Sequence, residues 1–158
     1  MSVRMRSPSY PSTPLGQAIE LIGKIFSSER TNPVDREVAA QAMGYVGMTG
    51  HSAKLLSNLA QYGLLEKAGK NEVRVTQRAL SILLPDDPQE RAEGLWAAIQ
   101  EPALFQRLSD RFEDGLPSRT ALKSVLLKEG FTDAAIPPAA NAYLESYEFL
   151  QHEGVCDS

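Results

Sequence analysis

Cysteine is almost missing from this chain: of 158 residues only Cys156 is one. An internal disulfide is therefore excluded, and so is any thiolate zinc pattern; a reducing compartment is the expected setting. Histidine is nearly as scarce, and His51 and His152 fall on different predicted elements. No apolar run approaches the roughly 18 residues that a membrane span needs. Arg4 and Arg6 near the start are followed by no apolar stretch, so no secretory leader is expected and a cytoplasmic protein is. Asp86-Asp87 and Glu113-Asp114 are adjacent carboxylates in predicted loops, with no histidine or phosphate-binding loop beside them. The glycine-rich run from Gly44 to Gly50 follows no strand, and Gly-Lys-Ser/Thr occurs nowhere. Neither catalysis, nor a metal, nor a cofactor is expected. Fixed-period repeats and low-complexity segments are absent as well.

What is present is ordinary in amount and uneven in placement. Apolar residues make up 42% and charged residues 23%, the balance of a soluble globular protein with enough chain for a real core, in one domain or two small ones. Residues 1–84 carry 10 Lys and Arg against 6 Asp and Glu, a net +4. Residues 85–158 carry 6 against 14, a net −8, which agrees with −4 for the whole. Such asymmetry hints at a polyanion-facing half and a separate acidic half.

Residues 1–12 are rich in Ser, Pro and Arg without periodicity and read as a flexible arm. Thr13 is placed to cap a first helix that has Pro14 at its first position and Leu15, Ala18, Leu21, Ile22, Ile25 and Phe26 as its apolar stripe. Asp35 caps a short second helix to Met43, with Val38, Ala39 and Ala42 facing inward. Thr49 caps a third, Thr49–Tyr62, in which Ser52, Leu55, Leu56 and Leu59 share one face. Lys54, Ser57, Asn58 and Gln61 fall on the opposite face, with His51 at its edge. Gly63 stops this helix as a residue tolerant of positive φ. Leu64-Leu65 begins a strand, a turn follows at Ala68–Asn71, and Glu72–Val75 alternates as the partner strand. Thr76 caps a fourth helix, Gln77 to Leu84.

Pro85-Asp-Asp-Pro, residues 85–88, is the best linker in the chain, because two prolines disfavour a helix running through it. Residues 89–158 read as an acidic helical region. Its predicted helices carry Ala92, Leu95, Trp96 and Ile99, then Leu104, Phe105, Leu108 and Phe112. Next comes a helix capped by Ser118 with Ala121, Leu122, Val125 and Leu126 inward. Thr132 then caps a turn broken by Pro137-Pro138, and a last helix carries Tyr143, Leu144, Tyr147 and Leu150. The aromatic residues sit among aliphatic neighbours and read as core.

The order helix, helix, helix, strand, strand, helix over residues 13–84 resembles a winged helix-turn-helix domain. The run Leu-Ser-Asn-Leu-Ala-Gln-Tyr-Gly-Leu-Leu-Glu-Lys, residues 56–67, is similar to the end of the recognition helix and the first wing strand of many bacterial regulators. The fold class expected is thus mainly α with a small two-stranded β-wing, followed by a helical C-terminal region. The resemblance implies that helix Thr49–Tyr62 enters the major groove of double-stranded DNA, with Lys54, Ser57, Asn58 and Gln61 towards the bases. His51 and the amides at the helix start would hold a phosphate. Lys67, Lys70, Asn71 and Arg74 of the hairpin would lie near the backbone or minor groove. The expectation is a DNA-binding transcriptional regulator, dimeric, with no cofactor. The alternative is an interaction module whose acidic helices bind a protein partner. For those helices three readings stand open: dimerisation or packing on the winged domain, docking of a basic partner, and solubility alone.

Overall fold

The computed structural model describes residues 10–155. Arg4, Arg6, Cys156 and most of the expected arm lie outside them. Two neighbouring helices meet first in the chain. α1 (Leu15–Glu29) buries Leu15, Ala18, Ile19, Leu21, Ile22 and Ile25 on one stripe, which is what their three- and four-residue spacing dictates. Thr13 does not cap it as expected. Pro14 holds the N-cap position without a side-chain bond, and the Leu15 amide is instead taken at 2.8 Å by Ser146 Oγ from the far end of the chain. α2 (Arg36–Ala42) is capped by Asp35, which accepts from the Glu37 amide. Ala39 and Ala40 face inward, whereas Val38 is exposed.

α3 (Gly50–Gln61) starts at a reciprocal cap. Thr49 Oγ1 accepts from the Ser52 amide and Ser52 Oγ accepts from the Thr49 amide. Ser52 Oγ also donates to Gly47 O at 2.9 Å, which fixes the preceding loop to the helix. Two of the orphan donors of the first turn are satisfied this way. Gly63 follows with φ +77. A side chain there would be strained in the backbone and would also overlap the Arg78 guanidinium.

The sheet has three strands, not the expected two, in the order β1-β3-β2 and all antiparallel. β2 (Leu65–Gly69) and β3 (Glu72–Val75) form the hairpin, with a bulge between Lys67 and Gly69. Val73 and Val75 are buried while Glu72 and Arg74 face solvent, the alternation a one-sided sheet requires. The added strand β1 is only Val34–Asp35 and pairs Val34 with Val73. α4 (Gln77–Leu83) follows, capped by Thr76.

Pro85, Asp86 and Asp87 turn the chain from α4 into α5 (Pro88–Gln100), which lies against α4. The approach is close because residue 94 is glycine: a Cβ there would come within 2.9 Å of Ile82. α6 (Ala103–Arg111), α7 (Arg119–Lys128) and α8 (Ile136–His152) complete the fold. Ser118 caps α7 as expected, and Ala121 is exposed rather than inward. Pro137 and Pro138 open α8 rather than break a turn, since the first-turn amides have no intrahelical acceptors to lose.

One cluster of buried apolar residues runs from Leu15 to Leu150 through both halves of the chain. α8 packs on α1, and Tyr62 at the end of α3 meets Phe105 of α6 edge-on at 6.0 Å between ring centroids. Phe105, Tyr143 and Tyr147 continue the aromatic row at 5.2 and 5.0 Å. The molecule is mainly helical, with a small antiparallel sheet at one side. No helix among the described residues is long and apolar enough to cross a membrane.

Candidate nucleic-acid interface

α3 turns Leu55, Leu56 and Leu59 into the core, which leaves His51, Lys54 and Ser57 in solvent and Gln61 half-buried. No carboxylate occurs in α3. The neighbours that pack on this helix most are α1, α2 and β2, so the acidic helices α5 to α8 do not cover its outer face. The His51 ring stands edge-on to Tyr45 at 5.4 Å, with Tyr45 Oη 3.4 Å from His51 Nε2. Beside them Val46 is 95% exposed on the loop that leads into the helix.

Asn58 overturns its expected role at a base edge. It is only 1% exposed and belongs to a polar knot behind α3. Its Nδ2 donates to Thr13 Oγ1 at 2.8 Å and to Ser12 Oγ at 3.2 Å, while its Oδ1 accepts from the Ser12 amide at 3.3 Å. Tyr62 donates its hydroxyl proton to Thr13 O at 2.7 Å. Its 3.3 Å contact with Ser146 Oγ must then use the serine proton. Ser146 Oγ in turn accepts from the Leu15 amide. The knot thus ties α3, the segment before α1 and α8 together. Among the described residues no buried side-chain polar atom lacks a partner, as burial of so many such groups demands. Burial pushes the Tyr62 phenol well above its usual range, and the bond with Ser146 offsets part of that.

The outer face of α3 continues into a recess of about 350 Å³ between α3, the start of α2 and the hairpin. Ser57 and Ala60 of α3 line it, as do Lys67 and Asn71 of the hairpin and Arg36 at the start of α2. Glu66 and Glu72 also line it, so its two cations meet two carboxylates. Arg36 was not among the residues singled out from sequence. Its signal was weak: a lone cation one residue after a helix cap, brought beside the hairpin only by the pairing of β1 with β3.

The four hairpin residues differ among themselves. Arg74 is bonded at 2.7 Å to Glu66, its partner directly across the sheet. Both are about half-exposed, and such a pair adds little stability but ties up the guanidinium. Asn71 sits at the turn with φ 61. Its Nδ2 donates to Asp35 Oδ2 at 3.3 Å and its carbonyl accepts from the Arg36 amide at 3.0 Å. It therefore shapes the turn and anchors the start of α2. Lys67 and Lys70 are exposed, and among the described residues neither they nor Lys54 joins an ion pair.

His51, Lys54, Ser57, Lys67 and Arg36 thus border one continuous surface of helix and hairpin, with Gln61 at its edge and Lys70 at the hairpin tip. Comparison of the chain with protein-family models, with curated proteins and with solved structures gives no match.

Proposed function

We propose that the protein is a winged helix-turn-helix DNA-binding protein, a dimeric transcriptional regulator that reads sequence with α3. The observation that carries this reading is the outer face of α3, which is exposed, free of carboxylates and uncovered by the acidic helices. A 12-residue helix is about 18 Å long, and the major groove admits a rod of that kind. Lys54, Ser57 and Gln61 are the base-reading side chains: lysine for guanine, serine for several partners, glutamine for adenine. Arg36, His51, Lys67 and Lys70 take phosphates. Arg74 contributes less, because its charge is already met by Glu66.

Fluorescence anisotropy with a random-sequence duplex pool at about 50 and 200 mM salt tests the reading. Binding is expected, with log K falling against log salt by roughly 0.9 for each phosphate held. Lys54→Ala combined with Lys67→Ala lowers affinity and flattens that slope. Absence of binding at the lower salt sinks the proposal. Selection from a random library then reports symmetry, since a dimer enriches a palindrome. If instead the full chain captures one basic protein in stoichiometric amount and shifts no DNA, the acidic helices are the working surface.

A further inference from the structure

Away from α3, between α5, α6 and α8, lies a second recess of about 300 Å³, bounded by the loop that follows α6. Trp96, Phe112, Tyr143 and Tyr147 supply four aromatic rings to its wall, with Leu116 and Leu150 as aliphatic neighbours. Its volume is at the lower end of that of small-molecule sites, and its make-up is theirs: mostly apolar, with a few polar groups brought together. A packing fault would be closed and dry. This recess is lined in part by exposed residues, Gln100, Glu113, Leu116 and Gln151.

The polar groups form one cluster. Ser109 Oγ lies 2.8 Å from Tyr147 Oη and 3.2 Å from Tyr143 Oη. Ser109 Oγ and Tyr143 Oη carry about four acceptor lone pairs, and these two contacts use at most two of them. The cluster therefore has acceptor capacity to offer a donor brought by a guest. Among the described residues Glu113 is the one charged side chain in the lining. Ser109 and Tyr147 also border a more open depression lined by Asp110 and by Arg78 and Glu101, which pair with each other at 2.9 Å, so it adds one carboxylate that no cation of that lining meets.

We propose that this recess is a binding site for a small planar aromatic molecule bearing one O–H or N–H donor and no negative charge. The rings supply offset and edge-on contacts to its face, the hydroxyl cluster accepts from its donor, and Glu113, with Asp110 nearby, repels anions. The site stands independently of DNA binding.

The chain reports on it directly, because Trp96 is the only tryptophan. Its indole N–H gives a single nuclear magnetic resonance signal at the wall of the recess. 2-Naphthol and its anionic analogue 2-naphthoate are titrated into the full chain. Naphthol is expected to shift the signal saturably with half-saturation below about 1 mM, and naphthoate to bind at least roughly tenfold more weakly. Gln151→Phe adds a ring to the lining from an exposed position, so the fold is kept while naphthol affinity drops by about tenfold or more. The remainder of the spectrum verifies that fold. The proposal is overturned if naphthol gives no saturable shift, if naphthoate binds equally well, or if the folded Gln151→Phe protein binds naphthol as the wild type does.

Discussion

Along α3 the two faces use the same kinds of side chain and spend them differently. Asn58 and Gln61 carry the same amide three residues apart. Asn58 has every polar atom engaged inside the protein by Ser12 and Thr13, whereas Gln61 is half-buried at the rim of the outer face. Ser52 is buried in the cap while Ser57 faces solvent. Chemical type alone thus does not say which polar residue is available to a partner. What decides is whether another segment of the chain comes to meet it.

The largest effect that separates the faces is expected at Asn58. Asn58→Ala removes three hydrogen bonds and strands buried partners, which costs about 3 kcal/mol. Urea unfolding reads this as a lower midpoint at constant slope; a loss below about 0.5 kcal/mol means that the knot is not structural. Tyr62→Phe comes next, at about 1.5 kcal/mol, by freeing Thr13 O and Ser146. It also alters the alkaline limb. The folded state holds the phenol proton above the ordinary pKa of 10.0, and Tyr143, raised to about 12 chiefly by burial, behaves alike. This contribution is complete below pH 10 and is lost as pH rises towards and beyond 12. Unfolding followed across that range is expected to be less steep in pH for Tyr62→Phe. If the two proteins have parallel curves, the tyrosine is not the cause.

On the outer face the effects move from stability to binding. Lys54→Ala leaves the urea midpoint in place and weakens binding to a selected duplex by about 1 kcal/mol, or roughly fivefold. Unchanged affinity removes Lys54 from the site. Gln61→Ala is the mildest, within about 0.5 kcal/mol in stability, with its change confined to base preference at one position of the selected sequence. A clear drop in stability there means that the half-buried amide serves the core instead.

These contrasts mark what the sequence conveys. The start and stop of α3 were legible because they are local: Thr49 and Ser52 bond each other, and Gly63 takes the positive φ that ends the helix. The buried Val73 and Val75 were legible from their period of two. β1 was not, because Val34–Asp35 is too short to show a period and exists only by pairing with β3. Asn58 borders the apolar stripe on the side of Leu55 and Tyr62, and it is covered by residues 45 and 46 positions away in the chain. Thr13 misled for the same reason: its hydroxyl serves Asn58, and the amide it was expected to help is met by Ser146, 131 positions after Leu15. Arg36 gained a place at the candidate surface only through that unforeseen strand.

The turn at Pro85–Asp87 invites a cut, yet the apolar cluster does not stop there. A gene trimmed at that point would yield one product with the α1 flank that α8 shields left raw, and another missing the Leu15 amide that Ser146 holds. Neither piece inherits a finished interior, so deletion mapping would report misfolding where it meant to report function. Point substitutions on the intact polypeptide are the instrument this architecture allows.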